Sequence, residues 1–328
     1  MGLLAAQAFQ SVLTGDRSLR RRPMARVSEP LERMGARITT TDGHLPATVR
    51  GGSLRDLDYE SPVASAQVKT CLLFAGLAAG VRVSVSEPLR SRDHTERLLR
   101  MLGARCEVRG TTVVLEPPER LPAFDGTVPG DISSAAYLLA AGLLAERGSL
   151  TVLGVGVNPT RTGFLRAVKR MGALAEESER SESLGEPTAS LSTRPSTLAP
   201  VVVEPGEVPS MVDEIPLLAC LASRAKGHSV FRGIGELRVK ESDRLALVAK
   251  NLTALGVRAH SEGDTLYVEG TDAPPRGRVE TAGDHRLAMA FAVLGTVPGA
   301  RVELDDERCV AISYPAFFSD LRMVLHDA

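Results

Sequence analysis

Four times along this chain a run with helical spacing ends in methionine or leucine, then glycine, then a small residue, and gives way to an alternating stretch. The instances are Met34-Gly35-Ala36, Leu102-Gly103-Ala104, Met171-Gly172-Ala173 and Leu255-Gly256-Val257, with the glycines 68, 69 and 84 residues apart. Glycine suits such a junction because it adopts the left-handed conformation that a tight helix stop requires. Self-similarity at roughly this period restricts the fold to a series of like supersecondary units, each burying its apolar face against a neighbour. The longest interval holds the Ser/Glu/Pro-rich stretch from Glu176 to Thr197, which reads as an extended surface loop or hairpin with too few apolar residues to pack alone.

Between these units a second, more apolar helix is expected, introduced each time by a polar cluster. The clusters are Ser65-Ala66-Gln67-Val68-Lys69, Ser133-Ser134-Ala135, Asp213-Glu214 and Asp284-His285-Arg286, and Gly80, Gly148, Gly227 and Gly299 follow 15, 15, 14 and 15 residues after the first of each. One unit is therefore helix, strands, helix, strand, which predicts an α/β fold of two lobes built from repeated helix/strand units. Pro122, Gly126, Pro129 and Gly130 interrupt the periodic pattern between Phe124 and Pro129. The boundary is placed there, giving an N-terminal lobe of 1–127 and a C-terminal lobe of 128–328. By the same alignment Gly2 to Phe9 is the tail of an apolar helix feeding a strand at Ser11 to Leu13, so the first lobe is expected to begin partway through a unit.

A formal net charge of −1 offers no whole-molecule attraction to nucleic acid, and four tyrosines, eight phenylalanines and no tryptophan supply little stacking surface. No apolar run reaches the length of about 18 residues that a membrane-spanning helix needs. Basic residues from Arg17 to Arg26 follow the apolar opening instead of preceding it, the wrong order for a signal peptide. Cys71, Cys106, Cys220 and Cys309 lie far apart, with no CxxC and no histidine at zinc-ligand spacing. Reduced core thiols in a cytoplasmic protein without a metal are expected.

Charge concentrates in Glu236-Leu237-Arg238-Val239-Lys240-Glu241-Ser242-Asp243-Arg244, where a short strand is expected to hand over to a helix. Leu245, Val248, Ala249, Leu252 and Leu255 set the helical period, with Ser242 as the N-cap. Arg244 then sits in the first turn, where the helix dipole opposes a cation. The same placement recurs: Arg20-Arg21-Arg22 before Pro23, read as a first helical residue, Arg90 and Arg92 before Asp93, Arg161 before Phe164, and His285 and Arg286 at a further helix start. Cations that repeatedly oppose the dipole make sense if helix amides and guanidinium forks share a polyanionic ligand, so an anionic-substrate cleft is expected. Asp213 and Glu214 fit either a dipole-favoured cap or a base that accepts a proton from a bound hydroxyl. Glu241 fits an ion-pair partner or a second acid/base group, and His285 a cap or a proton shuttle.

These segments resemble the 5-enolpyruvylshikimate-3-phosphate (EPSP) synthase family. The resemblance rests on Leu13-Thr14-Gly15-Asp16 with Arg22-Pro23-Met24, Ser65 to Lys69, Arg92-Asp93-His94-Thr95-Glu96, Met211-Val212-Asp213-Glu214, Arg238 to Arg244 and Asp284-His285-Arg286, in family order from near the start to what reads as the last helix. It implies the enolpyruvyl transferase fold of inverted α/β repeats, a cytoplasmic monomer, no cofactor, and shikimate 3-phosphate and phosphoenolpyruvate as substrates. It further implies that Arg22, Arg244 and Arg286 hold phosphoenolpyruvate and that Ser65, Ala66, Gln67, Arg92 and Lys240 hold shikimate 3-phosphate. Gln67 would touch both substrates, Asp213 would accept the proton of the attacking hydroxyl, and Glu241 with Lys240 would serve proton transfer. Two family segments, a Lys-Ser pair with a following arginine and a Gly-Asn-x-Gly-Thr loop, do not occur here. Their absence leads to the expectation of a chain shortened at its start and poorly active alone, which binds shikimate 3-phosphate or needs a complementing piece. UDP-N-acetylglucosamine enolpyruvyl transferase, which shares the fold, is the other enzyme reading. Ala311 to Pro315 lacks a lysine that some family members place there.

Overall fold

The computed structural model describes residues 1–326, apart from the side chains of Arg17, Ser18 and His326, so the Arg17 end of the basic stretch lies outside the described side chains. Helices Ala25–Met34, His94–Met101, Gly163–Arg170 and Arg244–Ala254 stop beside Gly35, Gly103, Gly172 and Gly256, whose φ angles are 117°, 82°, 82° and 86°. A side chain at any of these four would be strained, which is why glycine punctuates the repeat. Each stop leads into two neighbouring strands: Arg37–Thr41 with His44–Arg50, Arg105–Arg109 with Thr112–Glu116, Ala175–Ser183 with Glu186–Thr193, and Arg258–Glu262 with Thr265–Gly270.

The apolar helices are Ala66–Ala79, Ile132–Leu144, Ile215–Ala222 and His285–Leu294. Three of them connect strands that pair in parallel: Leu57–Glu60 with Val83–Ser86, Val202–Val203 with Gly227–Phe231, and Arg276–Val279 with Arg301–Leu304. Around Ile132–Leu144 only a single parallel bridge, Gly130 to Val155, takes that place. Pro117, Pro118, Pro122 and Pro129 crowd the stretch before it, and proline cannot donate to a strand ladder. The strand pair of one unit completes the sheet of the unit before it, as in the order Leu57–Glu60, Val83–Ser86, Thr112–Glu116, Arg105–Arg109. No unit can close its own sheet, so the units must stack.

The chain divides into two compact units, Met1–Thr127 with Leu184–Glu186, and Val128–Ser183 with Pro187–Ala328. In the first, Leu72, Leu73 and Ala75 of Ala66–Ala79 share a core with Leu31 and Met34 of Ala25–Met34 and with Val83, Val85 and Leu115 of the sheet. In the second, the three apolar helices form the centre, with Leu139, Leu218 and Phe291 fully buried. Helices apolar on every side belong there, because no face of them is suited to water.

Several local expectations are corrected. Pro23 is not helical: the helix begins at Ala25, with Met24 at its N-cap. The Glu176 to Thr197 stretch is a hairpin whose second strand buries Thr188, Ala189, Ser190 and Leu191, so half of it is core. A further helix, Phe317–His326, follows the one that read as last. Cys106, Cys220 and Cys309 are buried free thiols and Cys71 is half-buried. Among the described residues no helix is long and apolar enough to cross a membrane.

Candidate active site

In the second unit the charged stretch folds differently from the strand-to-helix expectation. A tight helical turn, Gly235–Val239, leads in, and Asp243 caps Arg244–Ala254, its side chain accepting from the Ala246 amide at 3.0 Å. Ser242 is not the cap because its hydroxyl is engaged elsewhere, donating to Asp284 Oδ2 at 2.9 Å. Arg244 is fully buried, so its position against the dipole must be offset by carboxylates. Its Nε donates to Asp284 Oδ2 at 2.8 Å, Nη2 donates to Glu241, and Nη1 stands 3.5 Å from Asp213 Oδ1. Nη1 itself is buried and makes no hydrogen bond. Burial alone would raise the Asp284 carboxyl, but Arg244, Ser242 and the Arg286 amide outweigh it and hold it below its ordinary range.

Asp284 also caps the helix His285–Leu294, accepting from the Arg286 amide at 3.0 Å. His285 is therefore the first helical residue and not the cap. Burial, reinforced by the neighbouring Arg286, lowers its pKa and favours a neutral imidazole. Arg286 lies 3.7 Å from Asp213 Oδ2 and 4.0 Å from Glu214 Oε1. Burial works against its charge, but Tyr137, Asp213 and Glu214 more than compensate and push its pKa up.

Asp213 and Glu214 lie on a short turn, Val212–Glu214, that runs into Ile215–Ala222, and Glu214 at the N-cap makes no side-chain cap bond. The cap reading thus fails for Glu214, which turns inward and accepts from the Ser133 hydroxyl. Ser133 in turn accepts from Arg161 Nη2 at 2.6 Å, and Arg161 Nη1 stands 3.8 Å from Asp213 Oδ2. Gly163, two residues after Arg161, lets this helix start approach closely: a Cβ there would lie 2.3 Å from Ser210 Oγ and 2.8 Å from Met211 Cβ. Asp213 is consequently flanked by guanidiniums from three separate helix starts. The cluster is not simply cationic, since Asp213, Glu214, Glu241 and Asp284 stand among Arg161, Arg244 and Arg286. Buried charges are tolerated only in such company. Lys240 pairs through its ammonium with Glu236 at 2.8 Å.

Burial, with Asp213 adding to it, raises the pKa of Glu214, Arg161 and Arg286 notwithstanding. An acid whose folded pKa is raised contributes stability below its unfolded value of 4.5 and loses that contribution as pH climbs through the folded value. Glu214→Gln keeps an acceptor for Ser133 and carries no titration. Its stability margin over the unaltered chain, measured by urea unfolding, is expected to be larger at about pH 8 than at about pH 5. A margin that shrinks with rising pH would contradict this assignment.

In the first unit Ser65 caps Ala66–Ala79, its hydroxyl accepting from the Val68 amide, with Ala66 half-buried and Gln67 exposed beside it. Arg92 is half-buried immediately before Asp93, which binds Arg90 and Arg97 at 2.8 Å and 2.9 Å. Arg22 is half-buried on the segment before Ala25–Met34, and its carbonyl accepts from His44 Nδ1 at 3.1 Å. Site residues therefore fall in both units: Arg22, Ser65, Ala66, Gln67 and Arg92 in the first, Asp213, Lys240, Glu241, Arg244 and Arg286 in the second. Within the second, Asp213, Glu241, Arg244 and Arg286 come together with Arg161, read from the sequence as one of the helix-start cations, and are joined by Ser133 and Asp284, to which the sequence assigned no role in the site. The available signal was an acid directly before a helix whose first turn holds an arginine.

The EPSP synthase family, described as 3-phosphoshikimate 1-carboxyvinyltransferase, matches residues 1–321. The chain is 48% identical over 327 residues to the 3-phosphoshikimate 1-carboxyvinyltransferase of Gloeobacter violaceus, covering 99% of this chain and 76% of that protein. It is 49% identical over 324 residues to a protein of the same description from Thermus thermophilus, covering 98% and 75%. The structure is similar to EPSP synthase from Acinetobacter baumannii, with a TM-score of 0.87 and 38% identity over 99% of this chain and 75% of that one. The enolpyruvyl transferase NikO from Streptomyces tendae shares the fold, with a TM-score of 0.75 at 21% identity over 96% of this chain and 72% of that one.

Proposed function

Since this chain belongs to the EPSP synthase family, we propose that it transfers the enolpyruvyl group of phosphoenolpyruvate to a ring hydroxyl of shikimate 3-phosphate and releases phosphate. In the addition half, the hydroxyl oxygen bonds to the central carbon of phosphoenolpyruvate while a proton joins its methylene carbon. In the elimination half, that carbon gives a proton back and the bond to phosphate breaks. Every atom is then accounted for, and no oxidant or reductant is needed.

Asp213 takes the proton of the attacking hydroxyl. Arg161, Arg244 and Arg286 stand 3.8, 3.5 and 3.7 Å from its carboxylate oxygens and hold the carboxylate in place for that transfer. Arg22, Arg244 and Arg286 hold the phosphate and carboxylate of phosphoenolpyruvate. Ser65, Ala66, Gln67, Arg92 and Lys240 hold shikimate 3-phosphate, with Gln67 touching both substrates. Glu241, whose side chain is 26% exposed, occupies the outer fork of Arg244 and is the partner of that arginine best able to turn outward. With Lys240 it moves the proton on and off the methylene carbon. Catalysis here consists of neutralising and orienting two anions in a site that water leaves.

The observation that supports this reading most is Arg244 Nη1, a buried guanidinium nitrogen without a hydrogen bond beside the carboxylate assigned as base. A buried donor that has an ion-pair partner but no hydrogen bond calls for an acceptor, and an anionic ligand is the one that suits it. The test is proton and phosphorus nuclear magnetic resonance of the chain incubated with both substrates. New vinyl signals together with free phosphate are expected; recovery of both substrates unchanged would overturn the reading.

A further inference from the structure

Lys69 closes one of the polar clusters singled out in the sequence, yet its side chain is 1% exposed and turns into the first unit. There it meets Glu87, Ser91 and Glu96: Nζ lies 2.9 Å from Glu87 Oε2, 2.9 Å from Ser91 Oγ and 2.8 Å from Glu96 Oε1. Glu87 is the member of this group with the widest reach. Its Oε1 accepts from the backbone amide of Ser65 at 2.8 Å, and its Oε2 also accepts from the Ser91 hydroxyl at 2.8 Å. Its own amide donates to the Thr111 carbonyl at 3.1 Å, which fixes it to the turn between two strands of the sheet. One carboxylate therefore ties the cap of the helix Ala66–Ala79 to the residue directly before Arg92.

Stability is a weak reason for this arrangement. Burying one ammonium with two carboxylates costs desolvation that a well-packed apolar set would avoid, and such replacements are often neutral or stabilising. What an apolar set could not do is fix the Ser65 amide and the Ser91 hydroxyl from a single group with defined directions. Those two points carry the residues assigned above to shikimate 3-phosphate: Ser65, Ala66 and Gln67 on one side, Arg92 on the other. We infer that Glu87 is a positioning residue for shikimate 3-phosphate, setting the start of the helix Ala66–Ala79 and the Arg92 segment at the spacing that this substrate spans. The inference rests on the proposed function and adds a residue to it that touches no substrate.

The experiment compares Glu87→Gln with the unaltered chain in steady-state phosphate release, varying each substrate in turn. Glutamine keeps the shape but brings an amide donor to a place where Ser65, Lys69 and Ser91 all donate, so one charge-assisted bond is lost. The Michaelis constant for shikimate 3-phosphate is expected to rise about tenfold, with that for phosphoenolpyruvate changing by less than about threefold. A purely structural role would lower the folded fraction and hence the maximal rate, leaving both constants where they were. Unchanged constants, or equal rises in both, overturn the inference. Should Glu87→Gln fail to fold, Ser91→Ala removes one arm only and is expected to give a smaller rise for the same substrate; no selective rise there overturns the inference equally. Calorimetric titration of the unaltered chain with shikimate 3-phosphate separates the two layers. Absence of binding removes the functional reading and this inference with it, whereas binding without a selective effect of Glu87→Gln removes the inference alone.

Discussion

Asp213→Asn is expected to lower kcat by about 10²–10⁴-fold, the usual contribution of a positioned general base. The exchange preserves shape and leaves Arg161, Arg244 and Arg286 in place, but it removes the carboxylate they surround. Three guanidiniums then face one negative charge fewer, so anionic substrates should bind as well as before or more tightly. The diagnostic pattern in steady-state phosphate release is a collapsed kcat with Michaelis constants unchanged or reduced. A kcat within about fivefold of the unaltered chain would remove Asp213 from the base role, because general-base losses are larger than that. Raised Michaelis constants with an intact kcat would make it a binding residue instead.

The second large effect is on stability. Arg244→Met would leave Asp284, itself fully buried, without its guanidinium partner and would release Glu241 and Asp213 from the same charge. Removing one member of a buried ion pair costs about 3–5 kcal/mol, because the remaining charge stays desolvated. For a unit of this size that corresponds to a Tm lower by about 10 °C, and activity should vanish even where the variant is folded. Arg244→Lys supplies charge without the planar fork that spans Asp284 and Glu241. It should recover part of the stability and little of the turnover. A methionine variant as stable as the unaltered chain, by thermal and urea unfolding, would show that the carboxylates around position 244 are not held by it.

How far the sequence carries toward this arrangement differs between its levels. The repeat is legible because glycine at Gly35, Gly103, Gly172 and Gly256 answers a local requirement, a positive φ after a helix, that owes nothing to the rest of the chain. The helix around Leu245, Val248 and Leu252 is legible for a similar reason, since its apolar spacing is a property of one element. Caps are harder. Ser242 and Asp243 are both good capping residues, and the choice between them is made by Asp284, 42 residues beyond Ser242, which takes the serine hydroxyl. The hairpin from Ala175 to Thr193 reads as surface because its composition is polar, but small serines and threonines are buried in its second strand.

The site follows the same division. Arginines placed against helix dipoles mark it in the sequence, yet nothing local reveals that Arg161 reaches Asp213 directly and Glu214 through Ser133. Nor does Lys69, at the end of a polar cluster that introduces an apolar helix, announce that it is buried with two glutamates. Both facts depend on which helix starts the stacked units bring side by side. Tertiary pairing of charges is decided by packing, and packing is long-range information.

Phosphate release from phosphoenolpyruvate, measured with and without shikimate 3-phosphate, tests the central claim most directly. A charge-lined site built for two anions should release phosphate only when both are present, and Asp213→Asn should lower that rate by about 10²–10⁴-fold while the residual release still requires both. Release that proceeds equally well without shikimate 3-phosphate, or at a rate within about fivefold of the unaltered chain after loss of the Asp213 carboxylate, would contradict the claim that this cluster joins the two.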